Sequence, residues 1–135
     1  YTGIKSGKNK SKSFFLTNGY NYIVFCNPKN CPYGVNWGNC IITKKCPHEA
    51  FIFHLPSYNK KSFNVLESRC AICIKYDDEE YICTTHLDNN NNNSLIKQTY
   101  KLIDYLKKSN INIEKLTLVG DFNAINKKTY SNFSL

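Results

Sequence analysis

Between Tyr81 and Asn123 the apolar period of the chain changes twice, and that change restricts the fold more than any other feature. Tyr81 to Leu87 alternates as a strand does, with Ile82, Thr84 and His86 on one face. From Ser94 to Lys108, a helical stripe of Leu95, Ile96, Thr99, Leu102, Ile103 and Leu106 lies opposite a face of lysines. Leu116 to Val119 then returns to a short apolar strand, broken at Gly120. A strand, a helix and a strand in that order predict a βαβ unit with parallel strands and a right-handed crossover. Both carboxyl ends then reach one sheet edge, where open α/β sheets collect ligands. The first strand ends in Thr84-Thr-His-Leu-Asp88 and the second in Gly120-Asp-Phe-Asn123, so His86, Asp121 and Asn123 are expected at that edge.

Upstream the signals are shorter. Residues 1–13 are rich in Lys, Gly and Ser without an apolar period and read as a basic, mobile arm, leaving 14–135 as one domain. The turn at Asn18-Gly19 precedes a strand over Tyr20 to Phe25. An irregular loop from Cys26 to Asn36 follows, with Cys26 and Cys31 placed to staple it, and then a strand from Trp37 to Thr43. His48 and His54 flank Phe51-Ile-Phe53 and read as surface or hydrogen-bonded histidines rather than ligands. Glu67 to Tyr76 is a strand in which Glu67 and Arg69 share a face. Asp77 to Glu80 reads as a hairpin tip rather than a metal cage, and the tract Asn89 to Asn93 as a loop.

A net charge of +8 at pH 7 on 135 residues suits a polyanionic partner such as nucleic acid, and equally a lysine-rich solvated surface. No run approaches the roughly 20 apolar residues of a membrane-spanning helix. Seven cysteines favour an oxidising compartment and hence secretion, in which case the sequons at Asn9, Asn92 and Asn132 would be available for glycosylation. Cys70-Ala-Ile-Cys73 has the spacing of a metal or redox pair, but on a strand its two thiols point to opposite faces.

Four segments, Trp37-Gly-Asn-Cys-Ile-Ile-Thr43, Glu67-Ser-Arg69, Thr85-His-Leu87 and Gly120-Asp-Phe-Asn123, resemble in kind and order the motifs of the endonuclease/exonuclease/phosphatase superfamily. The resemblance implies the DNase I-like fold, an α/β two-layer sandwich of α+β character, here partial, with a mixed sheet and a covering helix. It implies a metal-dependent phosphodiester hydrolase acting on nucleic acid. His86, Asp121 and Asn123 would be its catalytic residues, and Arg69 and Asn39 would contact the substrate phosphate. Mg²⁺ or another divalent cation would sit on Asp121, with Glu67 as a further carboxylate. For Asn39, a plain turn asparagine beside Gly38 is the other reading, and for Arg69 an ordinary strand arginine.

The departures from the family pattern matter too. No Asn or Gln followed by a strand glutamate precedes Trp37, and no second aspartate motif or Asp-His pair follows Ala124. An incomplete domain is therefore expected, inactive by itself, with exposed strand edges that leave it marginally stable or prone to associate. A non-catalytic polyanion-binding relative, and an enzyme for lipid or inositol phosphates, are the alternatives.

Overall fold

The structure, a computed structural model, describes residues 19–20, 22–26, 38–56, 69–89 and 92–123. In chain order these form β1 (Tyr22–Cys26), β2 (Asn39–Thr43), β3 (Glu49–Leu55), β4 (Arg69–Lys75), β5 (Tyr81–His86), α1 (Asn92–Lys108), a short 3-10 turn (Ile113–Lys115) and β6 (Leu116–Asp121). The expected arm, Phe14 to Leu16, Cys31, Trp37 and Glu67 lie outside the described residues.

Why β4 sits at the centre follows from its sequence. Arg69-Cys-Ala-Ile-Cys-Ile-Lys75 carries apolar residues at every interior position rather than at alternate ones, the pattern of a strand covered on both faces. The sheet order is β3-β4-β5-β6, with β3, β4 and β5 antiparallel in succession and β6 parallel to β5. On one face, Ala71 and Cys73 join Phe53, Leu55, Tyr81, Cys83 and Leu87 beneath Leu95, Leu102 and Leu106 of α1. On the other, Cys70, Ile72 and Ile74 meet Val24, Cys26 and Ile41 from the antiparallel β1–β2 pair. The expected mixed sheet with its covering helix is present, and β1–β2 adds a layer on the far face.

The βαβ unit forms as its periods require, with two corrections. The helix begins at Asn92, so the end of the asparagine tract is helical rather than loop. Its buried stripe is also rotated relative to expectation. Ile96 is exposed, whereas Ser94 and Gln98 are buried with Leu95, Thr99, Leu102, Ile103 and Leu106. A polar side chain displaces an apolar one because Gln98 has backbone partners on both sides of the helix's landing point. At the hairpin tip, Tyr76 N–H donates to Glu80 O and Glu79 takes φ 60°, closing the turn expected over Asp77 to Glu80. No helix among the described residues is long and apolar enough to cross a membrane.

The cysteines divide as strand alternation requires, Cys70 on the β1–β2 face and Cys73 on the α1 face. Cys73 stands directly opposite Cys83 on β5, and the two form a disulfide. The expected Cys26–Cys31 staple is corrected: Cys26 is a buried free thiol. It ends β1 against the inter-sheet core, so its side chain is committed inward rather than toward the following loop.

Candidate active site

Parallel pairing of β5 with β6 sets His86 in register with Asp121 at the shared carboxyl edge. Glycine is what permits the approach. Gly120 has φ 138°, and a Cβ there would collide with the carbonyl oxygen of Thr85, its partner across the pair. Without that side chain β6 closes on β5 and carries Asp121 alongside His86.

His86 Nε2 lies 3.7 Å from Asp121 Oδ2, an ion-pairing separation when the imidazole is protonated. Both side chains are substantially exposed, His86 at 36% and Asp121 at 62%, so the pair opens to solvent at the edge. The other carboxylate oxygen is already held: Asp121 Oδ1 accepts from the backbone N–H of Asn123 at 3.0 Å. That bond needs a sharp turn after the strand, and Asn123 supplies it at φ 47°, a left-handed conformation that asparagine tolerates better than most residues.

The same turn is latched to the segment after His86. Asn123 Nδ2 donates to Leu87 O at 2.8 Å, while Leu87 N–H donates to Asp121 O at 2.9 Å. It is the backbone N–H of Asn123, and not its side-chain amide, that holds the Asp121 carboxylate. One amide hydrogen is committed to Leu87 rather than aimed outward.

Gln98 completes the frame, and sequence reasoning missed it. Fully buried on α1, it accepts from Asp88 N–H through Oε1 and donates to Pro56 O through Nε2, both at 2.8 Å. The residues that follow His86 are thereby tied to the end of β3. The available signal was a polar residue one turn from both Leu95 and Leu102, inside the core phase of the helix.

Asn39 and Arg69 reach the same edge from other strands. At the start of β2, Asn39 donates through Nδ2 to Cys70 O at 2.8 Å, a carbonyl that also accepts from Thr85 Oγ1 at 3.1 Å. Asn39 thus bridges the two sheets next to the β5 end. Arg69 opens β4 across from that end, but it is 6% exposed and shares the strand phase of Ala71 and Cys73, on the α1 side. His86 has the phase of Ile82, toward β1–β2. The structure therefore groups His86, Asp121, Asn123 and Asn39, and sets Arg69 at the same edge with its strand phase on the other face. His48 is exposed and pairs with Asp77 at 3.2 Å, away from the site, and His54 is an interior position of β3.

Among the described residues no three His, Cys, Asp or Glu side chains converge on a cation site. Asp121 offers an exposed carboxylate at the edge, and Mg²⁺, which keeps most of its waters, needs only one or two carboxylates beside a substrate phosphate. Asp121 therefore fits as a single ligand.

No protein-family model matches the chain, and no curated protein sequence matches it. Among solved structures, the catalytic domain of human Nocturnin, determined with a bound sulfate anion, superimposes with a TM-score of 0.68 at 16% identity. The match covers 94% of this chain. The fold is DNase I-like. It is so in part, since the chain spans 51% of the Nocturnin domain. The mixed sheet, the covering helix and the parallel β5–β6 pair are the described portion of that architecture.

Proposed function

We propose that the chain is the His86- and Asp121-bearing portion of a metal-dependent phosphodiester hydrolase of the endonuclease/exonuclease/phosphatase type, acting on nucleic acid. The observation that carries the reading is the juxtaposition of His86 Nε2 and Asp121 Oδ2 at 3.7 Å on the carboxyl ends of adjacent parallel strands. Its setting in a DNase I-like fold supports it, as does the sulfate bound by Nocturnin, a tetrahedral anion of phosphate's shape.

Hydrolysis of a phosphodiester needs an oriented water, positive charge on the non-bridging oxygens and a proton for the leaving oxygen. Asp121, pinned at Oδ1 by Asn123, keeps Oδ2 for orienting or deprotonating the water. His86 donates a proton to a phosphate oxygen or to the leaving group. Asn39 stands beside the edge at the start of β2, and Arg69 contributes permanent positive charge to the edge. Mg²⁺ bound at Asp121 would polarise the phosphoryl group. The excess of lysine draws a polyanion toward this surface, and the cysteine content fits a secreted enzyme.

The test is an assay of the full-length product that contains residues 1–135, with Mg²⁺, on DNA, RNA, sphingomyelin and phosphoinositide substrates. Cleavage of DNA or RNA that disappears in Asp121→Asn supports the reading. Turnover of a lipid or inositol phosphate alone moves the substrate class, and tight polyanion binding with no turnover replaces hydrolysis by binding.

A further inference from the structure

Cys26 closes β1 and Cys70 is the second residue of β4, so the two thiols come from sheets that face one another. They are 1% and 0% exposed, and both are free. Cys70 Sγ donates to Cys26 O at 3.4 Å, and both side chains belong to the core shared by β1 and β4. Nothing in the proposed hydrolysis uses them, yet they sit directly under the edge that does. Asn39 Nδ2 donates to Cys70 O and lies 3.8 Å from Cys70 Sγ, and Thr85, one residue before His86, holds the same carbonyl.

We propose that Cys26 and Cys70 are a reversible redox pair whose disulfide fastens the β1–β2 sheet to the central sheet beneath the His86–Asp121 edge. The contacts make the two sulfurs unequal. The hydrogen bond from Cys26 holds the Cys70 thiol below its ordinary range in spite of burial, helped by Asn39 and by the charge of Arg69. The same contact, with burial, pushes Cys26 up. Cys70 is therefore the attacking sulfur. Once β1 parts locally from β4 and exposes it, its thiolate attacks one sulfur of a small-molecule disulfide such as oxidised glutathione, forming a mixed disulfide and expelling one thiolate. Cys26 then loses its proton to solvent and attacks Cys70 Sγ, releasing the second small thiol. Two protein thiols are oxidised and one small disulfide is reduced to two thiols.

Formation of the bond turns the Cys70 thiol that lies 3.8 Å from the Asn39 amide into a disulfide sulfur, and so alters the surroundings of Asn39 next to the β5 end. This last link rests on the proposed function for its biological meaning, whereas the bond itself does not.

The experiment is a redox titration of the full-length protein in glutathione buffers, quenched in acid, alkylated under denaturing conditions and peptide-mapped. A Cys26–Cys70 linked peptide that appears and disappears reversibly, while Cys73–Cys83 stays joined, is expected. Cys26→Ser and Cys70→Ser should each abolish it. Both thiols remaining alkylatable in the most oxidising buffer, or Cys26 joined to a different cysteine such as Cys31, would overturn the proposal, and the wild-type titration decides this even if a variant fails to fold. The imidazole proton resonance of His86 should move between the two forms. A resonance that stays fixed while the bond forms would overturn the coupling to the site, and hydrolase activity enters neither readout.

Discussion

At the scale of single residues, the site is a carboxylate with one oxygen tied and one oxygen available. Asp121→Asn retains the Oδ1 bond from Asn123 and removes the proposed base, so on the proposed function turnover by the full-length protein should fall by about 100-fold or more with little change in Tm. A comparable loss of Tm would instead assign Asp121 to stability. Gln98 behaves in the opposite way. Gln98→Leu leaves Asp88 N–H and Pro56 O without the partners they have in the interior, and should cost about 2 to 4 kcal/mol in a urea titration. Gly120→Ala combines an unfavourable φ with a collision against Thr85 O, so β6 must withdraw from β5. A loss of about 3 kcal/mol, accompanied by a change in the His86 resonance, is expected.

At the scale of elements, α1 is held on its solvent side by Asp104, which lies 3.0 Å from the ammonium groups of both Lys101 and Lys108. The hydrogen bond from Lys101, followed by that from Lys108, holds the Asp104 carboxyl below its usual range. A carboxyl whose folded pKa is depressed contributes stability above its unfolded pKa, near about 4, and loses it as pH falls through the folded value. Asp104→Asn should therefore melt earlier than wild type at neutral pH and together with it below that window, the gap also narrowing in high salt.

The elements were legible in the sequence wherever period and punctuation agreed. The alternation of Tyr81 to Leu87, the helical stripe and Gly120 together implied parallel strands, and parallel strands implied His86 beside Asp121. What could not be read was which side chains spend their hydrogen bonds on the frame. Asn123 and Asn39 have donors that suit a phosphate, and in the structure each gives one amide hydrogen to a backbone carbonyl. Gln98 was invisible for the reverse reason, since burial of an amide is decided by partners just past the ends of β3 and β5 that lie 42 and 10 residues away. Arg69 was placed on a strand correctly, but the face on which its phase falls depends on which neighbours cover β4.

At the scale of the whole molecule, the Cys73–Cys83 disulfide joins the two central strands across a separation of 10 residues. On the loop-entropy account its removal should destabilise the fold by about 3 kcal/mol, measurable as a fall in Tm for the Cys73→Ala, Cys83→Ala double variant. Beyond these strands the central sheet is less well covered. Val119 on β6 and Ile52 on β3 are both exposed, flanking the region that β1–β2 covers. Residues 1–135 expressed alone should therefore show concentration-dependent melting, which sedimentation and calorimetry at several concentrations would check.

The register of β6 also decides how the site can fail. Side chains on a strand alternate between faces, so a slip by one residue would set Gly120 or Phe122 opposite His86 and turn Asp121 to the other side of the sheet. A slip by two restores the face but exchanges the carboxylate for an amide or an aliphatic chain. No intermediate alignment leaves a weakened pair. Loss of the proposed activity by disturbance of β6 is thus a matter of counting rather than of degree, with molecules either fully aligned or wholly inert, and the active fraction should track the amide protection of that one strand.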